Sequence, residues 1–257
     1  MFPAALVDGI KRDLSVSLFQ LPICTLFISD FDHTITYGKE SDWFAFRVAL
    51  ERAHLPVPDK KTFFSLRHEG DSRSVARRLC HNDSELCARV LRTREKLMNT
   101  EVVRNKARLR PGAKESIRRL RKKVRFMAIA STGNKAAIVR FLKREGLNGC
   151  FDAVEARNVT GKNQAKSELA KLSMYLGLLK RFGARPEETL VLGNSINDLR
   201  PALKIGCRAI AIAGDYGLED GLADIVFHVM TWQELLNSLG KASYRTGPFW
   251  QKTADVS

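Results

Sequence analysis

Two carboxylates spaced two residues apart follow an apolar run near the start of this chain of 257 residues. Asp30 and Asp32 come directly after Thr25-Leu26-Phe27-Ile28, and a third carboxylate, Asp198, lies in a later polar segment. Such a group offers hard oxygen ligands, which suit Mg²⁺ together with a substrate phosphate. Because crowded buried carboxylates repel one another, they require a cation or a lysine nearby. The spacing therefore predicts a site for a cation and an anionic ester.

Two more polar groups follow apolar runs in the same way. Ser131-Thr132-Gly133-Asn134 comes after the run Val124–Ala130, and Gly193-Asn194-Ser195-Ile196-Asn197-Asp198 comes after Leu190–Leu192. An open parallel sheet binds its ligands beyond the carboxyl ends of its strands. We therefore expect the three groups to meet at one edge of one sheet.

The apolar runs predict buried strands, and helical patterns separate them. Further strand-like runs are Ala209–Ile212 and Ile225–Phe227, and helices are expected between Pro111 and Lys123 and from Ala165 to Phe182. Runs that are apolar on both faces are typical of a parallel sheet covered by helices. The predicted class is α/β, with an open, doubly wound (Rossmann-like) parallel sheet.

The interval 36–110 lacks strand-like runs and shows helical patterns instead. One pattern starts at Ser41, a good N-cap residue, and another carries Leu86, Val90 and Leu97 on one face. We interpret 36–110 as an inserted helical cap, with the core formed by 21–35 and 111–242. Residues 1–20 are expected to be an N-terminal extension, and 243–257 a C-terminal tail in which Trp250 could dock.

The motifs resemble those of the haloacid dehalogenase-like hydrolases, in particular phosphatases similar to phosphoserine phosphatase, over about Ile23 to Leu239. Ile28–Thr34 is similar to the first motif, and Ile129–Gly133 to the second. Ala165-Lys166-Ser167-Glu168-Leu169 resembles the segment that bears the third-motif lysine, and Val191–Asp198 resembles the fourth motif. The position of the insertion matches that of the family's helical cap.

The resemblance implies a role for each matching residue. Asp30 would be the nucleophile that forms an aspartyl-phosphate, and Asp32 the general acid and base. Ser131 would bind a phosphoryl oxygen and Lys166 would neutralise charge. The implied substrate-binding residues are Thr132, Gly133 and Asn134, and the implied Mg²⁺ ligands are Asp30, Asp32, Asn194 and Asp198.

Several assignments stay open at this point. Lys162 and Lys171 compete with Lys166 for the lysine role, and the match to Ala-Lys-x-Glu favours Lys166. Asn134 would contact substrate or cap the next helix, and His33 would contact the leaving group or serve only the loop. The cap also offers candidate substrate contacts that could equally be solvated charges: Arg47, His68, Arg73, Arg77 and Arg78.

Asn194 departs from the family pattern, in which an acidic residue usually stands at this position. An amide oxygen can coordinate a metal but supplies no charge, so we expect weaker metal binding or a more direct role for Asp198.

Composition excludes several classes of protein. With 44% hydrophobic and 28% charged residues, the chain is neither a disordered tail nor a collagen-like repeat. The five cysteines form no Cys-x-x-Cys pair, which is typical of reduced thiols in the cytoplasm. The longest uncharged stretch, Leu14–Ser29, is too broken for a membrane span, and the nearby charges argue against a secretory leader.

The net charge of +15 is concentrated in one segment. From Arg104 to Arg125 there are eleven basic residues and one acid, which leaves only +5 for the rest. The usual explanation of such a run is a solvated helix face.

The expected function is a Mg²⁺-dependent phosphatase that hydrolyses a small phosphorylated metabolite. Two alternatives remain, a catalytically weak protein that binds nucleic acid or acts as a scaffold, and a phosphatase for nucleotides or nucleic-acid ends. Nucleic acid is not the favoured partner because no recognised binding motif is present. No membrane partner is expected, and the sequence carries no signal of oligomeric state.

Overall fold

The computed structural model describes residues 24–98, 100–157, 164–216, 222 and 229–241. Its main feature is a parallel sheet of six strands in the order β5-β4-β1-β6-β7-β8. The strands are β1 (Leu26–Ser29), β4 (Phe126–Ser131), β5 (Ala153–Ala156), β6 (Thr189–Gly193), β7 (Arg208–Ile212) and β8 (Val229–Met230). The predicted α/β class with a doubly wound parallel sheet is confirmed.

Helices cover both faces of the sheet. They are α6 (Ala113–Arg121), α7 (Lys135–Arg144), α8 (Gln164–Phe182), α9 (Ile196–Lys204) and α10 (Trp232–Lys241). On β1, Leu26 and Ile28 pack with side chains of α8 and α9, while Phe27 faces the opposite cluster with Ile117 of α6 and Trp232 of α10. The alternation along an extended strand explains why these runs must be apolar on both faces.

A helical cap is inserted between β1 and β4. Its helices are α1 (Lys39–Arg52), α2 (Lys60–Glu69), α3 (Ser72–Leu79), α4 (Ser84–Met98) and α5 (Glu101–Arg104). They enclose a core of their own around Phe46, Phe63, Val75 and Val90. The two crossovers to the cap pair as a short two-stranded antiparallel sheet, β2 (Thr36–Tyr37) with β3 (Arg108–Leu109).

Local details differ from the expectations in two places. The predicted N-cap, Ser41, is wrong: α1 begins at Lys39 after Gly38, and the Ser41 hydroxyl is buried inside the helix, where it donates to the carbonyl of Val103 at 3.1 Å. Strand β5 was not predicted because Glu155 interrupts its short apolar pattern. The predicted strand Ile225–Phe227, the N-terminal extension and the tail with Trp250 lie outside the described residues.

Buried Asp215, three residues after the end of β7, joins the core to both crossovers of the cap. Its carboxylate accepts hydrogen bonds from the Gly38 amide at 2.6 Å, from Nη1 of Arg110 at 2.8 Å, and bonds to Nδ1 of His33 at 2.8 Å. Burial of this ion pair lowers the pKa of Arg110 although Asp215 opposes the change. One core carboxylate therefore ties down the chain where it enters and where it leaves the cap.

In the part of the chain that the structure describes, none of the helices has the length and apolar character needed to span a bilayer.

Candidate active site

The three polar groups lie together at the carboxyl edge of the sheet. Strand β1 pairs with β4 on one side and β6 on the other, so the loops that follow these strands are neighbours. They line one cleft of about 1080 Å³ between the core and the cap. Residues of Asp30–His33, Ser131–Gly133 and Asn194–Asp198 form its floor.

Asp30 sits at the centre of the floor with both carboxylate oxygens bonded. Oδ1 accepts from Nζ of Lys171 at 2.6 Å, and Oδ2 accepts from Oγ1 of Thr34 at 2.9 Å. Burial, together with the negative charge of Asp198, raises the pKa of Asp30 to about 6, and the Lys171 ammonium opposes that rise. Asp30 is thus a buried carboxylate that depends on a lysine for its charged form. Asp32, by contrast, is exposed and lines the cleft.

Lys171 is the lysine that the structure places against the carboxylates. Besides Asp30, its Nζ contacts Oδ1 of Asp198 at 2.7 Å and donates to the carbonyl of Ala130 at 2.7 Å. All three ammonium protons therefore have an acceptor. Burial lowers the pKa of Lys171, but the Asp198 and Asp30 carboxylates more than offset this and hold it above its usual value.

The sequence favoured Lys166 for the lysine role, whereas among the described side chains Lys171 contacts the Asp30 and Asp198 carboxylates. Both residues belong to α8, five positions apart along the helix. The Lys166 side chain and the whole of Lys162 lie outside the described residues. A signal in the sequence pointed to Lys171, which shares one helical stripe with buried Ser167, Met174, Tyr175 and Leu178.

The loop after β4 is built around Ser131. Its side chain is buried, and its Oγ accepts a hydrogen bond from the amide of Gly133 at 3.0 Å, which folds the loop tightly. Thr132 and Gly133 line the cleft beside it. Asn134 instead caps helix α7, since its Oδ1 accepts from the amide of Ala137 at 3.0 Å. Of the two roles left open for Asn134, the structure shows the helix cap.

Asp198 performs two structural tasks at the start of α9. Its Oδ2 accepts from the amide and the hydroxyl of Ser195 at 3.1 and 2.6 Å, while its Oδ1 binds Lys171. Gly193 permits this arrangement, because a Cβ there would lie 2.5 Å from Cβ of Asp198. Both oxygens of Asp198 are therefore already engaged by protein groups.

The side-chain amide oxygens of Asn194 and Asn197, two residues that line the cleft, fit a magnesium ion. Oδ1 of Asn197 is buried beside the cleft without a hydrogen-bond partner among the described residues, and a buried acceptor of this kind normally requires a ligand or water. Asn194 is near Asp30, since its Oδ1 lies 2.9 Å from the same Thr34 hydroxyl that bonds Asp30. Amide, carbonyl and carboxylate oxygens are the ligands that Mg²⁺ prefers. Within the described ranges no three acidic, histidine or cysteine residues form a metal cluster.

The open candidates from the sequence divide into two groups. His33 has a left-handed backbone, with φ of 62°, and its ring both lines the cleft and bonds Asp215. Arg73 also lines the cleft. The other candidates lie elsewhere: Arg47 pairs with Glu51, Arg78 pairs with Glu69, Arg77 is exposed, and His68 lies 3.1 Å from the carbonyl of Tyr216.

Trp232 and Asp215 support this site and were missed by the sequence reasoning. The Trp232 indole NH donates to the Thr34 carbonyl at 2.6 Å. Both residues follow the last matched motif, and no motif spacing pointed to them. The only sequence signal was a tryptophan at the start of an amphipathic C-terminal segment.

Comparison with known proteins agrees with the fold and the motifs. A phosphoglycolate phosphatase of Synechococcus elongatus is 26% identical over 199 residues, which cover 75% of this chain and 84% of that protein. The structure of a predicted phosphoglycolate phosphatase from Haemophilus somnus superposes with a TM-score of 0.63 at 17% identity, covering 83% of this chain and 96% of that one. A haloacid dehalogenase-like family protein from Streptococcus pneumoniae gives 0.65 at 17% identity, covering 83% and 97%.

The family of haloacid dehalogenase-like hydrolases matches residues 24–206, which include all three loops at the carboxyl edge of the sheet. With its doubly wound sheet, its helical cap and Asp30 at the end of β1, the chain belongs to the haloacid dehalogenase-like hydrolases.

Proposed function

We propose that the protein is a Mg²⁺-dependent phosphatase that hydrolyses a small phosphorylated metabolite through an aspartyl-phosphate. The observation that carries the proposal is the contact of 2.6 Å between Nζ of Lys171 and Oδ1 of Asp30 on the floor of an open cleft. A buried carboxylate held charged by a lysine can act as a nucleophile, and the ammonium can offset charge on a transferring phosphoryl group.

The steps follow from the positions of the two aspartates. Asp30 attacks phosphorus, the bond from phosphorus to the ester oxygen breaks, and Asp32 delivers a proton to that oxygen. Asp32 then takes a proton from water, which attacks phosphorus and releases Asp30 and inorganic phosphate. Ser131 and the loop residues Thr132 and Gly133 that follow it would hold the phosphoryl oxygens during both displacements.

The magnesium ion would be held by Asp30, the main-chain carbonyl of Asp32, Asn194 and Asn197. When bound, it supplies positive charge that neutralises the phosphoryl group. Asp198 would act through Lys171, whose Nζ its Oδ1 contacts at 2.7 Å.

Two further features belong to this proposal. The cytoplasm is the compartment we propose, supported by cysteines that are all free. Phosphoglycolate is the first substrate to test, because relatives carry that name. A cleft of about 1080 Å³ also has room for larger esters, so mononucleotides belong in the substrate panel.

The test is turnover of an aryl phosphate and of phosphoglycolate with Mg²⁺, by the wild type and by Asp30→Asn. The wild type should release phosphate and, when quenched in acid, carry phosphate that hydroxylamine removes, as expected for an acyl phosphate. Asp30→Asn should show neither. Turnover that persists in purified Asp30→Asn contradicts the nucleophile assignment, and absence of Mg²⁺-dependent turnover by the wild type across the panel contradicts the function.

A further inference from the structure

The roof of the cleft is formed by the cap. Its lining comes from the turn between α2 and α3 and from one face of α4, where residues recur at spacings of three and four. The α4 residues are Ala88, Leu91, Arg92, Arg94, Glu95 and Met98. This face therefore lies opposite the catalytic floor, where the part of a substrate remote from its phosphate would be held.

Two arginines of the roof are fixed by one buried carboxylate. Asp42 of α1 accepts from Nε of Arg67 at 2.8 Å and from Nη2 of Arg94 at 2.6 Å. The hydroxyl of Tyr216, from the core, donates to the same carboxylate at 3.0 Å. With two guanidinium groups on one carboxylate, this network keeps a net positive charge and has little freedom to move.

Other charged residues of the cap and α7 that line the cleft also have protein partners. Asp71 caps α3 through the amide of Ser74, and Glu101 pairs with Arg140 at 3.0 Å. Arg144 pairs with Glu145 at 2.9 Å. The charged groups of these residues thus bond to other protein groups and stabilise the cap and the core.

Arg92 differs from these residues. It is exposed, it lines the cleft, and it forms no ion pair or hydrogen bond with any residue that the structure describes. A guanidinium presents five donors in a planar fork that matches a carboxylate or a phosphate. A cleft wall that already carries positive charge further favours an anion beside it.

We propose that Arg92 binds a second anionic group of the substrate, at the end remote from the hydrolysed phosphate. The substrate is then a phosphate ester that also carries a carboxylate or a second phosphate. This inference rests on the proposed phosphatase function, and it makes Arg92 the residue that distinguishes such esters from neutral alcohol phosphates.

Three esters of similar size show whether the second anionic group is a carboxylate or a phosphate. Phosphoglycolate carries a carboxylate, ethylene glycol bisphosphate carries a second phosphate, and 2-hydroxyethyl phosphate is neutral at that end. The substitution Arg92→Gln should lower kcat/KM roughly ten- to a hundredfold for the ester with the correct anion, since a hydrogen bond to a charged group is lost. The kcat/KM of Arg92→Gln for 2-hydroxyethyl phosphate should stay within about twofold of the wild-type value.

Two control variants sharpen this measurement. Arg77→Gln removes the same charge from an exposed position of the cap that does not line the cleft, and it should leave all three values unchanged. Arg92→Lys retains the charge but not the planar fork, so it should give an intermediate loss. Equal losses for all three esters in Arg92→Gln, or no loss for any, overturn the proposal.

A binding measurement keeps the two proposals distinguishable. If none of the esters is hydrolysed, the phosphatase proposal fails. Calorimetric titration with phosphonoacetate and with 1,2-ethylenediphosphonate, against methylphosphonate, then tests Arg92 without turnover. Tighter binding by the wild type than by Arg92→Gln of one of the two probes that carry a second anionic group supports the anion subsite, whereas equal binding or none overturns it.

Discussion

Trp232, the first residue of the C-terminal helix α10, donates its indole NH to the main-chain carbonyl of Thr34 at 2.6 Å. The hydroxyl of Thr34 in turn lies 2.9 Å from Oδ2 of Asp30. A helix outside the matched motifs thus fixes the loop that carries Asp30, the proposed nucleophile.

Replacing Trp232 by Phe should slow catalysis more than it weakens binding. Phe retains much of the buried ring but leaves the Thr34 carbonyl unpaired, which costs about 1–3 kcal/mol. We expect kcat to fall about five- to fiftyfold with little change in KM, because the displaced group is the nucleophile and not a substrate-binding residue. Steady-state kinetics with an aryl phosphate measures this. A rise in KM at constant kcat would contradict the positioning role.

Lys171→Met should remove nearly all activity, whereas Lys166→Met should not. The first substitution leaves the Asp30 and Asp198 carboxylates without their shared cation, and loss of such a charge-stabilising group costs about 10²–10³ in kcat. The pair of variants, assayed with Mg²⁺ and checked for folding by circular dichroism, decides the lysine assignment. Loss of activity in Lys166→Met with retention in Lys171→Met would restore the original expectation.

Asp42→Asn should destabilise the protein, and the loss should depend on pH. Burial alone would raise the pKa of Asp42, but Arg94 and Arg67 outweigh it and hold that pKa well below the ordinary value. The ionised carboxylate therefore stabilises the fold above the unfolded pKa of about 3.9, and this stabilisation is lost as the pH falls further toward the folded pKa.

We expect Asp42→Asn to cost about 3 kcal/mol at pH 7, since it leaves two half-buried cations without a counter-ion. Urea denaturation at pH 7, 5 and 3 should show a constant gap between wild type and variant down to pH 5 and a smaller gap at pH 3. A difference in unfolding free energy that grows as the pH falls would contradict the lowered pKa of Asp42.

Asp215→Ala should also destabilise the protein, by about 3–5 kcal/mol, because it breaks a buried ion pair with Arg110 and leaves the Gly38 amide unpaired. The matched variant is Glu115→Ala, which removes an exposed pair with Arg119 and should cost less than about 1 kcal/mol. Thermal unfolding of both variants compares them directly. Similar losses would mean that the Asp215 junction does not hold the cap to the core.

The sheet and the floor of the site could be predicted because apolar runs on both faces determine buried parallel strands, and parallel strands bring their carboxyl ends together. Asp30, Ser131 and Asn194 followed from that rule. Lys171 did not, because a short motif match favoured Lys166 over the helical stripe that Lys171 shares with Met174 and Tyr175. Asp215 depends on contacts between residues far apart in the sequence, which no local pattern records.

The contacts made by Asp215 and Trp232 determine when parts of the protein can complete their folding during translation. The ribosome completes the loop of Asp30 and the entire cap long before it adds the two residues that fix them, since Asp215 contacts Arg110 across 105 positions and Trp232 contacts Thr34 across 198. The loop of Asp30 can therefore reach its final form only when the chain has been translated through Trp232. A nascent or prematurely terminated chain would carry all four motifs and still lack a fixed loop around Asp30.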